Sequence, residues 1–290
     1  MSTRPTLFVT GASGHLGRKT VEFLLASGKG NIIAGSRDPE KIADLVAKGA
    51  EARAVDFNRS ETLATAFAGV DRLLLVSTDA IDQPGRRLIQ HTAAIQAAID
   101  AGVKHIIYTS ATNASPDSAS IALRDHHETE QAVISSGLGH TILRNTLYMD
   151  NLLMSLPQIL SSGQWFHAAA GGKIAMATRE DCARAAAAAL ESDFSGNRII
   201  EISGAELLDH DETASIISGL SGKPVSAIAT DEATLTHALL NAGLPDIFAR
   251  LLATFDTAQA KGEFNVLTSA VRDLTGKQPT TLSDFLKDHV

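Results

Sequence analysis

Three glycines near the amino terminus have the spacing of a phosphate-binding turn. They form the pattern G-x-x-G-x-x-G between an apolar run that predicts a strand and an amphipathic run that predicts a helix. The first glycine permits a tight turn, the second lets backbone approach a pyrophosphate, and the third packs the helix against the strand. The amino end of the helix adds N–H donors and the positive end of its dipole. The residues predicted to hold a dinucleotide here are Gly11, Ser13, Gly14, His15, Leu16 and Gly17.

The end of the second predicted strand indicates which dinucleotide is bound. An acidic residue at this position would accept hydrogen bonds from the ribose 2′-hydroxyl of NAD. This chain has Arg37, whose guanidinium can bind a 2′-phosphate through a charge-assisted fork. Asp38 is the rival candidate, but its place before Pro39 is better explained as a helix cap. We therefore expect NADPH as the cofactor.

Three further predicted strands end in polar or aromatic residues. Asp56 and Phe57 end the third, Ser77 and Thr78 the fourth, and Thr109 the fifth. Because the carboxyl ends of parallel strands share one edge of a sheet, these residues are expected to line the same crevice. Asp56 and Phe57 are expected beside the adenine, with strand termination as the alternative. The three hydroxyls are expected to contact the nicotinamide ribose or a substrate.

The proton donor of common short-chain dehydrogenases is missing. Those enzymes use a Tyr-x-x-x-Lys pair, in which the lysine lowers the pKa of the tyrosine. Here Tyr108 is followed four residues later by Thr112, and Tyr148 by Leu152. The hydrolase motif G-x-S-x-G and the zinc motif H-E-x-x-H do not occur either. No residue is assigned as catalytic on this basis.

Imidazole and carboxylate side chains cluster between residues 125 and 130. On a helix, His126 and Glu130 share a face, as two metal ligands would. No third ligand is spaced nearby, so we interpret the segment as a polar helix start and predict no metal site. His126 or His127 lies near the usual position of the tyrosine, which makes His126 a candidate for the substrate cleft.

The absence of a tyrosine proton donor restricts which substrates the protein could reduce. Reduction of an unactivated ketone needs a positioned proton donor, because an alkoxide is a poor product at neutral pH. A quinone or a cationic dye accepts hydride to give a stabilised phenolate or a neutral carbon, and solvent can supply any proton. Nothing in the sequence indicates a flavin or a metal relay, so we expect hydride to pass directly from nicotinamide to substrate.

Strand-like and helical patterns alternate through the first half of the chain, which predicts an α/β fold with a Rossmann-type doubly wound parallel sheet. Residues 1–150, with about 173–204, are expected to form an NADP(H)-binding domain. Residues 151–172 and 205–290 are expected to form a smaller α/β substrate-cleft domain, and residues 148–163 a helix interrupted by Pro157. The predicted strands are Thr6–Thr10, Asn31–Ser36, Glu51–Phe57, Arg72–Ser77, His105–Ser110 and His140–Arg144.

Composition and charge restrict the partners and the cellular compartment expected for the protein. The net charge is -8 and no extended basic cluster occurs, which argues against a nucleic-acid partner. No apolar stretch is long enough to span a bilayer. The single cysteine, Cys182, excludes an internal disulfide and fits a reducing compartment. We therefore expect a cytoplasmic protein without a membrane partner.

Four motifs together carry a resemblance to a known family. They are residues 9–17 (VTGASGHLG), 101–110 (AGVKHIIYTS), 143–151 (LRNTLYMDN) and 172–181 (GKIAMATRED). They resemble the NmrA-like group of atypical short-chain dehydrogenases/reductases, and within it the type 2 NAD(P)H:quinone oxidoreductases and triphenylmethane reductases. The resemblance covers nearly the whole chain and implies an NADPH-dependent quinone reductase, with the quinone bound between the two domains.

The resemblance also implies two site residues. In the relatives, the segment matching residues 145–150 lines the nicotinamide end of the cofactor, which makes Asn145 and Tyr148 candidates for both cofactor and substrate contacts. The relatives' aromatic residue beside that tyrosine is here Leu147. Trp165 and Phe166 are expected either to wall the substrate pocket or to lie in the core.

Two other functions compete with the reductase. NmrA-like proteins include non-catalytic NADP(H) sensors that regulate a partner protein, and the absent Tyr/Lys pair fits that reading as well. A sugar-nucleotide epimerase is disfavoured because the tyrosine base is missing. The sequence leaves open whether the protein is a monomer or a homodimer.

Overall fold

The core of the fold is a seven-stranded sheet in the order β3-β2-β1-β4-β5-β6-β8. The computed structural model describes residues 4–290, so the first three residues of the predicted amino-terminal domain lie outside it. Strands β1 to β4 pair in parallel, as do β4 and β5. The strands are β1 (Thr6–Val9), β2 (Asn31–Ser36), β3 (Glu51–Ala54), β4 (Arg72–Leu75), β5 (His105–Ala111), β6 (Gly139–Asn145), β7 (Gln164–His167), β8 (Asn197–Ile202) and β9 (Ser226–Ala229).

Helices connect the strands and flank the sheet, which confirms the predicted Rossmann-type doubly wound fold. Every residue of β4 is buried, as is typical of a central strand covered on both faces. The helices are α1 (His15–Ser27), α2 (Ala43–Ala47), α3 (Leu63–Ala66), α4 (Arg86–Asp100), α5 (Ile121–Ser135), α6 (Leu152–Ser162), α7 (Arg179–Glu191), α8 (His210–Ser221), α9 (Glu232–Asn241), α10 (Asp246–Ala260), α11 (Ala270–Thr275) and α12 (Leu282–Leu286).

The chain divides into two compact units. The first unit comprises Met1–Ser110, Asp125–Arg144 and Glu180–Ile200, and the second comprises Ala111–Arg124, Asn145–Arg179 and Glu201–Val290. The first has a core of sheet residues against α3 and α4, in which the rings of Phe8 and Phe67 meet edge to face at 5.2 Å. The second packs α6, α8 and α12 around Ile217 and Leu282. The division of labour between a nucleotide domain and a substrate domain stays a prediction.

Several element boundaries differ from expectation. The first, third and fourth strands end at Val9, Ala54 and Leu75, two or three residues early in the last two cases. After Leu75 the backbone N–H groups bond to side-chain hydroxyls rather than to the neighbouring strand, which ends the ladder. The predicted helix after Asp38 is a 3₁₀ turn followed by the short α2.

The second unit contains structure that the sequence patterns did not indicate. Strands β7 and β9 form a separate two-stranded parallel sheet, and β8 adds a seventh strand to the main sheet. Helix α6 runs without a break through Pro157, where an interruption was expected. Proline removes one N–H donor, and the remaining bonds of this apolar, packed helix are sufficient to continue it.

Candidate functional site

The glycine turn between β1 and α1 has a geometry that side chains would prevent. Gly11 has a φ of 62°, and its carbonyl accepts a 2.9 Å hydrogen bond from the N–H of Gly14. A Cβ on Gly17 would lie 2.4 Å from the carbonyl oxygen of Gly11, closer than any real contact. The turn and the start of the helix can therefore be this close only with glycine at position 17.

Helix α1 begins at this turn with its amino end uncapped by any side chain. Gly14 is the N-cap residue, and the first helical backbone bond runs from Arg18 to its carbonyl. The N–H groups of His15, Leu16 and Gly17 precede that bond and have no acceptor within the helix. The first turn also carries no acidic side chain. The result is a set of donors at the positive end of the helix dipole, suited to a phosphate group.

A cavity of about 350 Å³ adjoins the turn and lies wholly within the first unit. It brings together eight of the residues predicted to hold a dinucleotide. Leu16 and Gly17 are buried behind it, and His15 and Thr109 do not line it. The residues lining the cavity are Gly11, Ser13, Gly14, Arg37, Val55, Asp56, Phe57, Asn58, Val76, Ser77, Thr78, Asp79 and Gln90.

Arg37 brings an uncommitted positive charge to the cavity. Its side chain is exposed and makes no hydrogen bond or ion pair with any residue in the described range 4–290. The preceding residue, Ser36, donates to the Asp38 carbonyl at 2.8 Å and to Oγ of Ser13 at 3.2 Å, which ties this loop to the glycine turn. Asp38 caps the following 3₁₀ turn through the N–H of Glu40, so its interpretation as a cap is confirmed.

Hydroxyl groups of the neighbouring strands hold the carboxyl end of β4. The N–H of Val76 donates to Oγ1 of Thr10, and the N–H of Ser77 donates to Oγ1 of Thr109, both at 2.9 Å. Thr109 therefore positions Ser77 from behind, whereas Ser77 itself lines the cavity. Thr109 therefore has a supporting role here, and the direct contact expected from the sequence stays a prediction.

Helix α4 fixes the next residue, Thr78, through both groups of its backbone. Nε of Arg87 donates to the Thr78 carbonyl, and the Thr78 N–H donates to Nε2 of His91, both at 3.0 Å. Nδ1 of His91 then donates to Oγ1 of Thr129 at 3.0 Å. Burial, with the Arg87 charge, lowers the pKa of His91 to about 3, so its ring is neutral and can accept at Nε2. Sequence reasoning missed both α4 residues, because no motif marks them.

Two residues that line the cavity each have a polar side-chain atom without a partner in the described part of the chain. These atoms are Oγ1 of Thr78 and Oε1 of Gln90, and both are buried. The amide nitrogen of Gln90 is already engaged with Oδ1 of Asn58 at 3.0 Å. Buried polar atoms usually find a partner, and hydroxyl groups of a bound ribose would provide one. Together with the turn and Arg37, these atoms fit a phosphorylated dinucleotide.

The structure does not place His126 in this cavity. Its ring is buried inside the first unit, where Nδ1 lies 2.8 Å from the hydroxyl oxygen of Tyr108. Burial lowers the pKa of His126 well below its usual value and raises that of Tyr108. Glu130, the other half of the metal-like pair, is bound by Arg144 at 2.7 and 2.8 Å and by Ser110 at 2.6 Å. Neither side chain is available to a substrate or a metal, since both are committed to the interior.

Asn145 and Tyr148 come together in the second unit. Nδ2 of Asn145 donates to the hydroxyl oxygen of Tyr148 at 3.2 Å, and the guanidinium of Arg179 lies 5.2 Å from the centre of the tyrosine ring. Asn145 is only 4% exposed, and its Oδ1 is buried with no partner within residues 4–290. A donor such as a carboxamide N–H would satisfy that oxygen.

A second cavity, of about 400 Å³, lies wholly within the second unit. Tyr148, Trp165 and Phe166 all line it, and Trp165 also packs against the hydrophobic core of the second unit. Flat aromatic walls of this kind suit stacking against a conjugated ring. The apolar side chains lining the cavity are Leu147, Tyr148, Leu152, Met154, Trp165, Phe166, Ile174, Met176, Leu208, Leu235, Leu239, Leu252 and Phe255.

A few polar groups interrupt these apolar walls. Oδ2 of Asp256 accepts a 2.7 Å hydrogen bond from the N–H of Ala168, and burial raises the pKa of the carboxyl to about 6. The ring of His210 stacks on His167 with 4.0 Å between centroids, and burial lowers the pKa of His210 to about 3. Neither residue was singled out from the sequence.

Residues 4–290 contain neither a cluster of metal-ligating side chains nor a membrane-spanning helix. No group of three or more histidine, cysteine, aspartate or glutamate side chains in this range is arranged to hold a metal ion. No helix in the same range combines the length and apolar character needed to cross a membrane.

Comparison with known proteins decides the family. The sequence profile of the NAD(P)H-binding family matches residues 11–193, which include the glycine turn and the first cavity. The chain belongs to this family. It is 37% identical to quinone oxidoreductase 2 of Escherichia coli, over 95% of this chain and 96% of that protein. It is 29% identical to NAD(P)H azoreductase of Xenophilus azovorans, over 98% of this chain and 97% of that protein.

Solved structures agree with the sequence relatives. The NADPH complex of an NADPH-dependent quinone oxidoreductase from Escherichia coli superposes with a TM-score of 0.92 at 35% identity, covering 97% of this chain and 99% of the other. The NADP(H) complex of Citrobacter sp. triphenylmethane reductase superposes with a TM-score of 0.90 at 34% identity, covering 98% of this chain and 100% of the other. The predicted family resemblance is confirmed, and the protein is an NAD(P)H-dependent oxidoreductase.

Proposed function

We propose that this protein transfers hydride from NADPH directly to a quinone or a similar conjugated acceptor. The observation that carries the proposal is the aromatic cavity of the second unit, with Tyr148, Trp165 and Phe166 in its walls. A flat conjugated molecule fits these walls, and it needs no positioned acid to accept a hydride. Quinone and dye reductases among the relatives support the same acceptor class.

The preference for NADPH over NADH rests on Arg37. A bound nicotinamide dinucleotide supplies the hydride, and the glycine turn, Ser77, Thr78 and Gln90 would hold it. Arg37 lines the same cavity without a partner in the described chain, so a 2′-phosphate would be its counter-charge. A 2′-hydroxyl carries no such charge, so the guanidinium of Arg37 would stay exposed to solvent in a complex with NADH.

Asn145 and Tyr148 would contact the nicotinamide end of the cofactor. The buried, unpartnered Oδ1 of Asn145 could accept from the carboxamide, while its Nδ2 holds the tyrosine hydroxyl. In the overall reaction, hydride and one solvent proton convert a quinone to a hydroquinone as NADPH becomes NADP⁺. No protein side chain need change its protonation state.

The test is NADPH and NADH oxidation with a panel of quinones, for wild type and Arg37→Ala. Removing a charge-assisted phosphate contact should raise the KM for NADPH about 10- to 100-fold and leave that for NADH within about twofold. Lys41→Ala is the matched control, because Lys41 is an exposed cation on the adjoining 3₁₀ turn that pairs with Asp38 at 4.0 Å. It should change neither KM.

Three other outcomes are informative. Equal loss for both dinucleotides would contradict the role of Arg37. Turnover with NADH alone would overturn the cofactor preference. Tight NADPH binding without turnover of any acceptor would favour the NADP(H)-sensor function instead.

A further inference from the structure

The second cavity contains a carboxylate that none of the reactions above uses. Asp256 lies on α10, on the face that also presents Leu252, Phe255 and Gln259 to the cavity. The rest of the cavity lining comes from other elements and is mostly apolar, with Asn151, Ser155, Asp209, His210 and Thr213 as its polar members. Such a position is unusual for an acidic residue, since an ionised carboxylate is destabilised in apolar surroundings unless a charge or hydrogen bonds compensate it.

The chain only partly compensates the negative charge of the Asp256 carboxylate. Oδ2 of Asp256 accepts one hydrogen bond, from the backbone N–H of Ala168 at 2.7 Å. Oδ1 has no hydrogen-bond partner, and no Lys or Arg pairs with the carboxylate anywhere in the described chain. Burial raises the pKa of Asp256 to about 6, and no neighbouring charge contributes to that shift. Above that pH the carboxylate is ionised and lacks a counter-ion.

The other titratable groups facing the cavity do not neutralise it. The carboxylate of Asp209 is used as the cap of α8, where it accepts from the N–H of Glu212 at 2.8 Å. His210 is held neutral, since burial lowers its pKa to about 3. The cavity has no lysine or arginine in its lining. The charge of the cavity is therefore negative when Asp256 is ionised, and most of the remaining lining is apolar.

We propose that Asp256 is a specificity-determining residue that selects positively charged conjugated acceptors over neutral ones. A delocalised cation placed in the cavity would stack on its aromatic walls and supply the counter-charge that Oδ1 lacks. This role rests on the proposed function, because it describes which acceptors the same cavity prefers.

The negative charge of Asp256 should also affect substrate binding and product release differently. A carbocationic acceptor takes up one hydride at its central carbon, a new C–H bond forms, and the product is neutral while NADPH becomes NADP⁺. No proton is needed. The attraction to Asp256 is present with the substrate and absent with the product, so it favours capture of the substrate and release of the product. Because the charge also fades in the transition state, this attraction lowers KM and leaves kcat unchanged or lower.

The test compares a cationic and a neutral probe on wild type and Asp256→Asn. Asparagine keeps an oxygen for the Ala168 N–H and removes only the charge. With saturating NADP⁺ present, the dissociation constant of crystal violet, a permanently charged triarylmethane, should rise about tenfold at about pH 7.5. That of menadione, a neutral quinone, should change less than about twofold. Asp246→Asn is the matched control, as it removes one exposed negative charge from the same helix, where Asp246 pairs with Arg250.

A pH series on the unmutated protein makes the test independent of the variant. Crystal violet should bind more weakly as the pH falls through about 6, because Asp256 becomes protonated, and menadione binding should stay level. The steady-state assay should show the Asp256→Asn effect in KM for crystal violet, with kcat unchanged or raised.

The two proposals fail in different ways. If both probes weaken equally in Asp256→Asn, or if Asp246→Asn has the same effect, the selective role of Asp256 is overturned while reductase turnover stands. If Asp256→Asn discriminates between the probes in binding but no acceptor is turned over, the reductase function fails and the charge selection stands. A pH-independent affinity for crystal violet in the wild type would also overturn the role.

Discussion

The cavity beside the glycine turn and the aromatic cavity of the second unit are built from different chemical groups. The first is lined largely by backbone and polar groups at strand ends, and its lining includes the glycine turn before the uncapped α1 and the positively charged Arg37. The second is lined by aliphatic and aromatic side chains, with Asp256 and a few other polar groups among them. A cavity made of backbone changes little when side chains are substituted, whereas one made of side chains can be altered residue by residue.

The cavities also differ in how their walls are held. The side chains of Thr10, Thr109 and His91 accept hydrogen bonds from the backbone N–H groups of three consecutive residues, 76 to 78, and fix them at the edge of the first cavity. The rim of the second cavity instead includes exposed apolar side chains, with Met154 at 79% and Phe166 at 49% exposure. Few polar contacts restrain such side chains, so they can adapt to different acceptors. We therefore expect one fixed cofactor and a broader choice of acceptor.

Gly17→Ala is the substitution expected to separate the two cavities most strongly, because it should affect the first and not the second. The added Cβ would lie 2.4 Å from the carbonyl oxygen of Gly11, so the turn or α1 must move. We expect the dissociation constant of NADPH to rise at least about 100-fold, while crystal violet binding in the second unit is unchanged. Calorimetric titration of both ligands measures this.

A glycine without such a contact is the control for that substitution. Gly219 lies in α8, and a Cβ there would meet nothing within 4 Å. Gly219→Ala should leave NADPH binding intact and raise stability by about 0.5–1 kcal/mol, because alanine loses less backbone entropy in a helix. A Gly17→Ala protein that binds NADPH normally would contradict the account of the turn.

What could be predicted from the sequence was local in the chain. The glycine turn occupies seven consecutive positions, 11–17, and Arg37 stands at a fixed distance beyond it. Strand ends were found because parallel strands bring their carboxyl ends to one edge, and the Rossmann-type fold follows from the alternation of patterns. In each case the information lies within one stretch of sequence, or in a rule of topology.

What was missed depends on contacts between distant residues. His91 acts on Thr78 from thirteen positions away on a helix, and Asp256 faces a cavity whose other walls come from α6, β7, α8, α9 and the loops beside them. His126 was assigned to a substrate cleft because of its position in the chain, but its ring packs against Tyr108. Periodicity marks a buried face of a helix without saying which neighbour that face will meet.

His91→Ala tests whether the first cavity depends on its hydrogen-bonded support. The change would leave the Thr78 N–H without its acceptor and open a void beside Tyr108, whose ring lies 5.5 Å from that of His91. We expect a loss of about 2–3 kcal/mol in the free energy of unfolding and a several-fold rise in the KM for NADPH. Chemical denaturation and steady-state kinetics measure the two effects.

The control for His91→Ala is Gln96→Ala on the same helix. Gln96 is exposed and bonds only to Asp100 among the residues described, at 2.9 Å. Its loss should change stability by less than about 0.5 kcal/mol. If His91→Ala destabilised the protein but left the NADPH KM at the wild-type value, the helix would support the fold alone and not the cavity edge.

Asp256→Asn provides the smallest and most specific test of the second cavity, through the pH dependence of stability. Because burial raises the folded-state pKa of Asp256 from its usual 3.8 to about 6, the folded protein binds this proton more tightly than the unfolded chain does. The ionised carboxylate therefore destabilises the fold, and the penalty grows as the pH rises from about 4 to about 6. The full shift corresponds to about 3 kcal/mol, but Oδ1 keeps some access to water, so we expect about 1 kcal/mol.

Thermal unfolding of Asp256→Asn and wild type at about pH 4 and about pH 7.5 measures that difference. The variant should melt at a higher temperature than wild type at the upper pH and at nearly the same temperature at the lower, where the wild-type carboxyl is protonated and as neutral as the amide. An equal gain at both pH values would mean that packing, and not charge, limits this site. A gain confined to the upper pH would mean that the protein retains a carboxylate that weakens its fold, which is expected of a residue kept for the ligand it attracts.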